Sequence, residues 1–182
     1  MIYSPAEDSF LLAKFVKKYS KNKSVLDVGT GSGILARTAL ESKASKFLAV
    51  DINPEAVKLA HSQGINALKS NLFSKVNGKF DLIVFNPPYL PLDKREDKES
   101  QQATTGGKKG DEIIIRFLKE APKHLEKSGK ILLLLSSLTP RERILNVLTK
   151  NNLKVKAIGK TKLFMETLEV WLILTVRKVG LC

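Results

Sequence analysis

Four short apolar runs between residues 24 and 85, each halted by a different polar or glycine-rich stop, constrain this chain more than anything else in it. Ser24–Val28 runs into Gly29-Thr30-Gly31-Ser32-Gly33, and Lys46–Asp51 closes on an acid. Residues 65–69 lead to Ser70-Asn71-Leu72-Phe73, and Phe80–Phe85 stops at Asn86-Pro87-Pro88-Tyr89. Helical patterns fill 32–42 and 54–61, with Asn53 placed to cap the second of them ahead of Pro54. Farther on, 111–125 and 140–150 read as helices around a fifth strand at 130–136. Two extended runs, 154–163 and 168–178, are joined tightly around Phe164, Met165 and Glu166 and read as an antiparallel pair. Strands alternating with helices in this way predict a three-layer α/β sandwich. Its seven-stranded sheet is mainly parallel and ends in an antiparallel hairpin, within one domain over 1–182. Ligands in such sheets bind beyond the carboxyl ends of the strands, where all four stops fall.

Ahead of the first strand, Ser4 and Pro5 suit an N-cap and a first helical position, with Glu7 and Asp8 in the first turn. The helix is expected to run to about Tyr19 with Phe10, Leu11, Ala13, Phe15 and Val16 inward. The run at 80–85 carries no charge after Asp81, which fits a strand covered on both faces. The short run at 65–69 is expected at a sheet edge.

Composition removes several function classes. Hydrophobic residues make up 43% of the chain, enough for a packed core. The one cysteine, Cys182, is the last residue, so neither a disulfide framework nor a cysteine zinc site is available. His61 and His124 lack metal-ligand spacing and read as helix-surface residues, so no metal is expected. No signal-like or membrane-spanning stretch is present, which points to a soluble, cytoplasmic protein. Lys+Arg number 31 against 18 Asp+Glu, a net charge of +13 that favours anionic partners. Lys14, Lys17, Lys18, Lys21 and Lys23 form one basic cluster, and Arg141 and Arg143 contribute to another. Most such residues are solvated helix faces.

The four stops carry chemistry of one kind. Alternate glycines at 29, 31 and 33 let the backbone turn sharply against a ligand, with helix N–H groups behind it. Ile34 stands where dinucleotide enzymes place their third glycine. Asp51 can accept from both hydroxyls of a ribose. Asn71 can bond an adenine amino group with Leu72 against the ring, although an Asx-turn explains Asn71 as well. Pro87 and Pro88 fix carbonyls in a restricted backbone, Asn86 adds a side-chain acceptor and Tyr89 a flat face. Two acceptors plus a platform suit a planar NH2 group, from a nucleobase or from a carboxamide.

With those residues the sequence resembles the class I S-adenosylmethionine-dependent methyltransferases. More narrowly it is similar to the HemK/PrmC release factor glutamine methyltransferases in their short archaeal and eukaryotic branch. The opening Tyr3-Ser4-Pro5-Ala6-Glu7-Asp8-Ser9-Phe10-Leu11-Leu12 and the later Thr105-Gly106-Gly107-Lys108-Lys109-Gly110 carry the narrower likeness. The resemblance implies a Rossmann-like fold and methyl transfer from S-adenosylmethionine, leaving S-adenosylhomocysteine. It places Asp8, Ser9, Asp27, Gly29 and Gly31 at the cofactor's methionine side, Asp51 at the ribose, and Ile52, Asn71 and Leu72 at the adenine. Many relatives have Asp where Asn71 stands. Asn86, Pro87, Pro88 and Tyr89 would bind the substrate, with Asn86, Pro87 and Tyr89 catalytic and Asn86 also bordering the cofactor. The substrate implied is the Gly-Gly-Gln glutamine of a class 1 translation release factor, and the partner implied is a small zinc-binding activator.

Other readings stay open from the residues alone. Adenine-N6 methylation of DNA or RNA uses the same acceptor pair, and lysine methylation of a basic protein is a further candidate. An NAD-dependent enzyme is disfavoured by the glycine spacing. A catalytically idle assembly partner would have no use for an aimed acceptor pair. The loop 90–110, following the Asn-Pro-Pro-Tyr turn directly, is the expected substrate-contacting segment.

Overall fold

A computed structural model describes residues 2–91 and 105–176. Seven strands form one sheet: β1 (Ser24–Val28), β2 (Lys46–Asp51), β3 (Ala67–Lys69), β4 (Phe80–Phe85), β5 (Leu125–Ser136), β6 (Leu153–Lys162) and β7 (Thr167–Thr175). Their order is β3-β2-β1-β4-β5-β7-β6. The first five run parallel, and β7 lies antiparallel between β5 and β6. The expected architecture is therefore the observed one, with β3 at one edge. Chain order reverses between β1 and β4, which opens a crevice at their carboxyl ends.

Helices α1 (Glu7–Tyr19), α2 (Ile34–Glu41) and α3 (Pro54–Ser62) cover one face of the sheet, and α4 (Glu112–Glu120) and α5 (Glu142–Lys150) the other. The strands show why two covers are needed. In β5, Ile131, Leu133 and Leu135 join the core under α4 and α5, while Leu132 and Leu134 join the core under α1 and α2. In β4, Ile83 and Phe85 face the first core, Leu82 and Val84 the second. Apolar residues on both pleats cannot be left in water on either side.

Local chemistry moves several boundaries from their expected places. α1 starts at Glu7, with Ala6 in extended backbone as its N-cap and no side-chain cap, so Ser4 and Pro5 precede the helix. The inward face shifts with it: Asp8, Ser9, Leu11, Leu12 and Val16 are buried, and Phe10 is 54% exposed. Phe15, half-buried, lies over Gly159 of β6, where a Cβ would collide with its ring. α2 begins at Ile34 because Gly33, at φ 82°, is still turning the chain. The helix expected over 111–125 ends at Glu120. Pro122, which cannot donate to a helical ladder, falls in a 3-10 turn (Ala121–His124), and β5 begins at once. Asn53 does cap α3, its side chain accepting from the Glu55 N–H at 3.0 Å. Residues 92–104 of the expected substrate loop, the end of the last strand and Cys182 lie outside the described residues. Among the described residues no helix is long and apolar enough to cross a membrane.

Candidate active site

The stops after β1 and β2 are stitched together first. Gly29 and Thr30 N–H both donate to the Val50 carbonyl, at 2.8 and 3.1 Å. Gly31 N–H donates to Asp51 Oδ2 at 2.9 Å and Asn53 N–H to Asp51 Oδ1 at 2.8 Å. Gly29 and Gly31 sit at φ 71° and 52°, the left-handed region that side chains disfavour. The result is an exposed backbone turn backed by a fixed carboxylate. Ile52, directly after that carboxylate, is 62% exposed, an apolar surface open to a ring.

Under the turn lies Asp27, fully buried at the end of β1. Thr30 Oγ1 donates to its Oδ2 at 2.8 Å, and its Oδ1 meets no hydrogen-bond partner among the described residues. Burial pushes the Asp27 carboxyl up to about 7, opposed by the Thr30 bond and reinforced by the Asp51 carboxylate. A buried acceptor left open in this way suits a cationic or N–H-bearing ligand. It also costs stability. An acid whose folded pKa is raised favours folding below its unfolded pKa and loses that contribution as pH rises through the folded value. Here the window is pH 4 to 7. Asp27→Asn should therefore be more stable than the parent at pH 8, by a few kcal/mol at ~1.4 per pKa unit. The two should converge near pH 4, as urea unfolding at the two pH values will show.

The stop after β4 is aimed rather than merely turned. Asn86 Nδ2 donates to Asp8 Oδ2 at 2.9 Å and reaches Ser9 Oγ at 3.5 Å. Asp8 is itself held, its Oδ1 accepting from the Ser9 N–H at 2.6 Å. With its amino end tied to α1, Asn86 leaves Oδ1 buried and without a partner among the described residues. Tyr89 packs against both cores, so the Asn86–Tyr89 segment is wedged at the sheet end. Burial, then the Glu166 and Asp8 carboxylates, raise the Tyr89 phenol; burial and Asp8 push Tyr3 up to about 12. Both phenols stay protonated near neutrality, so neither is a base.

Behind this segment the glycines at 106 and 110 are needed for contact. Gly106 N–H donates to the Leu90 carbonyl at 2.9 Å, and a Cβ on Gly106 would come within 2.6 Å of the Pro88 carbonyl oxygen. A Cβ on Gly110 would lie 2.6 Å from that of Tyr89. The 105–110 segment thus forms a brace behind the Asn-Pro-Pro-Tyr backbone.

Asp8, Ser9, Asp27, Gly29, Gly31, Asp51, Ile52, Asn86, Pro87, Pro88 and Tyr89 all lie at the carboxyl end of the sheet or on the adjoining first turn of α1. Two expected residues are placed differently. Leu72, at φ 49° and 6% exposed, packs into the core. The Asn71 carbonyl, expected to be open for adenine, accepts from Arg116 Nη2 at 3.1 Å. Two features were not legible in advance. Thr139 Oγ1 reaches the Tyr89 carbonyl at 3.4 Å, and Glu166 comes from the β6–β7 turn to accept from Ser136 Oγ. Both join segments about thirty to fifty residues apart, which no local pattern announces.

A family model described as methyltransferase small domain matches residues 7–165. A Methanocaldococcus jannaschii protein named as a candidate protein N5-glutamine methyltransferase is 42% identical over 177 residues, covering 93% of this chain and 89% of that one. The mouse methyltransferase HEMK2 is 32% identical over 146 residues, covering 70% of this chain and 68% of its own. In solved structures the fold matches one in an E. cuniculi Mtq2–Trm112 complex responsible for methylating the translation termination factor eRF1. That match has a TM-score of 0.78 at 24% identity and covers 96% of this chain and 99% of the other.

Proposed function

This chain belongs to the methyltransferase small domain family, and from that premise we propose that it methylates the side-chain amide nitrogen of a glutamine in a protein. The substrate is the Gly-Gly-Gln loop of a class 1 translation release factor. The observation that carries the reading is the Asn86 carbonyl, buried, unpartnered among the described residues and fixed in direction by Asp8. The names of the M. jannaschii relative and of the eRF1-methylating complex support the same substrate class.

S-adenosylmethionine, when bound, supplies a methyl group on a sulfonium, and the residues present fit it. Asp27 offers an open buried acceptor, Gly29 and Gly31 an approachable backbone, Asp51 a fixed carboxylate and Ile52 an exposed apolar face. The chain's own work lies on the glutamine. An amide nitrogen is a weak nucleophile because its lone pair is delocalised into the carbonyl. Asn86 Oδ1 and the Pro87 carbonyl accept its two N–H groups, hold the nitrogen at one angle and favour positive charge developing on it. Tyr89 covers the amide plane. No base is needed before attack, since the proton leaves only once the nitrogen has become cationic.

A small protein partner belongs to the same reading. Among the described residues β3 is paired on one side only, and Leu68 on it is 41% exposed. A partner strand would cover that edge, and a zinc-binding activator is the partner proposed. No base extrusion or duplex grip is required of the site, in contrast to adenine methylation of DNA.

Mass spectrometry after incubation with S-adenosylmethionine and a full-length release factor, with and without the partner, tests the proposal. A methyl group on the Gly-Gly-Gln glutamine is the expected product. Methylated adenine in a parallel DNA or RNA sample, with the factor untouched, would replace the substrate class.

A further inference from the structure

The β6–β7 turn breaks the usual chemistry of tight turns. Lys162 pairs with Thr167, and the Leu163 N–H donates to the Glu166 carbonyl at 2.8 Å, so Phe164 and Met165 are the two central residues. Those positions belong to Gly, Asn and Asp in most hairpins. Here Phe164 is 99% exposed and Met165 78% exposed. Two large apolar side chains at a turn tip bury little surface against the described residues. A local rule broken without a gain in folding marks a functional position.

The tip is also held rigidly and beside the site. Leu163 packs against the core under α1. Glu166 accepts from Ser136 Oγ at the carboxyl end of β5. The Ser137 N–H donates to the Thr167 carbonyl at 2.8 Å, and the Thr167 N–H to Ser137 Oγ at 2.9 Å. Glu166 lies close enough to Tyr89 and Tyr3 for its charge to act on both phenols. In the turn after β5, Leu138 is 48% exposed, and its neighbour Thr139 reaches the Tyr89 carbonyl. Leu138, on one of two turns joined by the Ser137–Thr167 bonds, and Phe164 and Met165, on the other, are thus exposed apolar residues on the side of the sheet that carries Asn86, a broken ridge beside the site.

We propose that this ridge docks the protein substrate, with Phe164 and Met165 packing against apolar surface of the release factor while its glutamine loop enters the neighbouring Asn86 site. The proposal rests on the protein-glutamine reading above. Exposed aromatic and methionine side chains suit such an anchor. A rigid carrier limits the ordering cost of using them. The ridge therefore discriminates whole proteins, while the Asn86 site recognises only the amide.

Phe164→Ser/Met165→Ser tests this, since both side chains are exposed and the variant should unfold with the parent's Tm. With full-length release factor, KM should rise ~10–100-fold while kcat stays within about twofold. With a short Gly-Gly-Gln peptide, parent and variant should be alike. An unchanged KM for the full factor overturns the ridge as a docking surface. So does a parent that dimerises through it, with the variant monomeric and KM unchanged. If the parent uses peptide and factor with equal kcat/KM, the ridge fails and the methyltransferase reading stands. If the parent, with the small protein partner present, methylates neither, the substrate reading fails and takes the ridge with it.

Discussion

Asn86→Ala is expected to lower kcat for glutamine methylation by about 10³-fold. That is the loss seen when one preorganised polar group is removed from a charge-developing site. Asn86 Oδ1 is buried and takes no hydrogen bond from the described residues, which leaves it open to a ligand. Cofactor affinity should change by no more than about threefold, because Asp27, the glycine turn and Asp51 are held by bonds that do not pass through Asn86. Stability should fall by ~1–3 kcal/mol, since Asp8 Oδ2 loses the Asn86 donor while Oδ1 keeps the Ser9 N–H. Single-turnover rates, calorimetric titration with S-adenosylmethionine and urea unfolding separate the three. Loss of cofactor binding equal to the loss of rate would make Asn86 a structural residue.

The parts of the fold that could be read in advance are those whose information is local. β1, β2 and β4 are apolar on both pleats and end at glycine, acid or proline, and each falls where its pattern places it. The four stops converge because a parallel sheet puts every strand's carboxyl end on one side. What escaped depends on distant partners. Ser4 and Pro5 have the chemistry of a helix start, yet the chain stays extended to Ala6. Asp8 and Ser9 then enter the first turn facing Asn86, some seventy-eight residues away. Leu72 follows Asn71 in sequence but is sent into the core by one left-handed residue conformation, its own. Arg116, which takes the Asn71 carbonyl, comes from α4 on a face whose apolar periodicity says nothing about its polar side. The apolar turn at Phe164 and Met165 was visible as a tight connection; only its exposure shows that it is more than one.

Asp8 gives the second large effect, and the bond it makes separates two roles. The family resemblance puts it near the methionine portion of the cofactor, whereas the structure bonds it to the Asn86 amide. Asp8→Leu removes the acceptor for Nδ2, so the Asn86 amide is free to flip. A flipped amide presents a donor to the donor groups of the substrate. The rate should fall by about 10²-fold from lost orientation. Asp8→Asn keeps an oxygen toward Nδ2 and should recover activity to within about tenfold of the parent. If Asp8 acts through Asn86, the effects do not add. In the Asn86→Ala background, Asp8→Leu should cost less than about threefold further. A cofactor-binding role predicts the opposite pattern: a raised Kd for S-adenosylmethionine in Asp8→Leu, and a full additional loss in the double variant. Asp8 positions the acceptor if the cycle collapses and the cofactor Kd holds. It belongs to the cofactor site if the losses multiply.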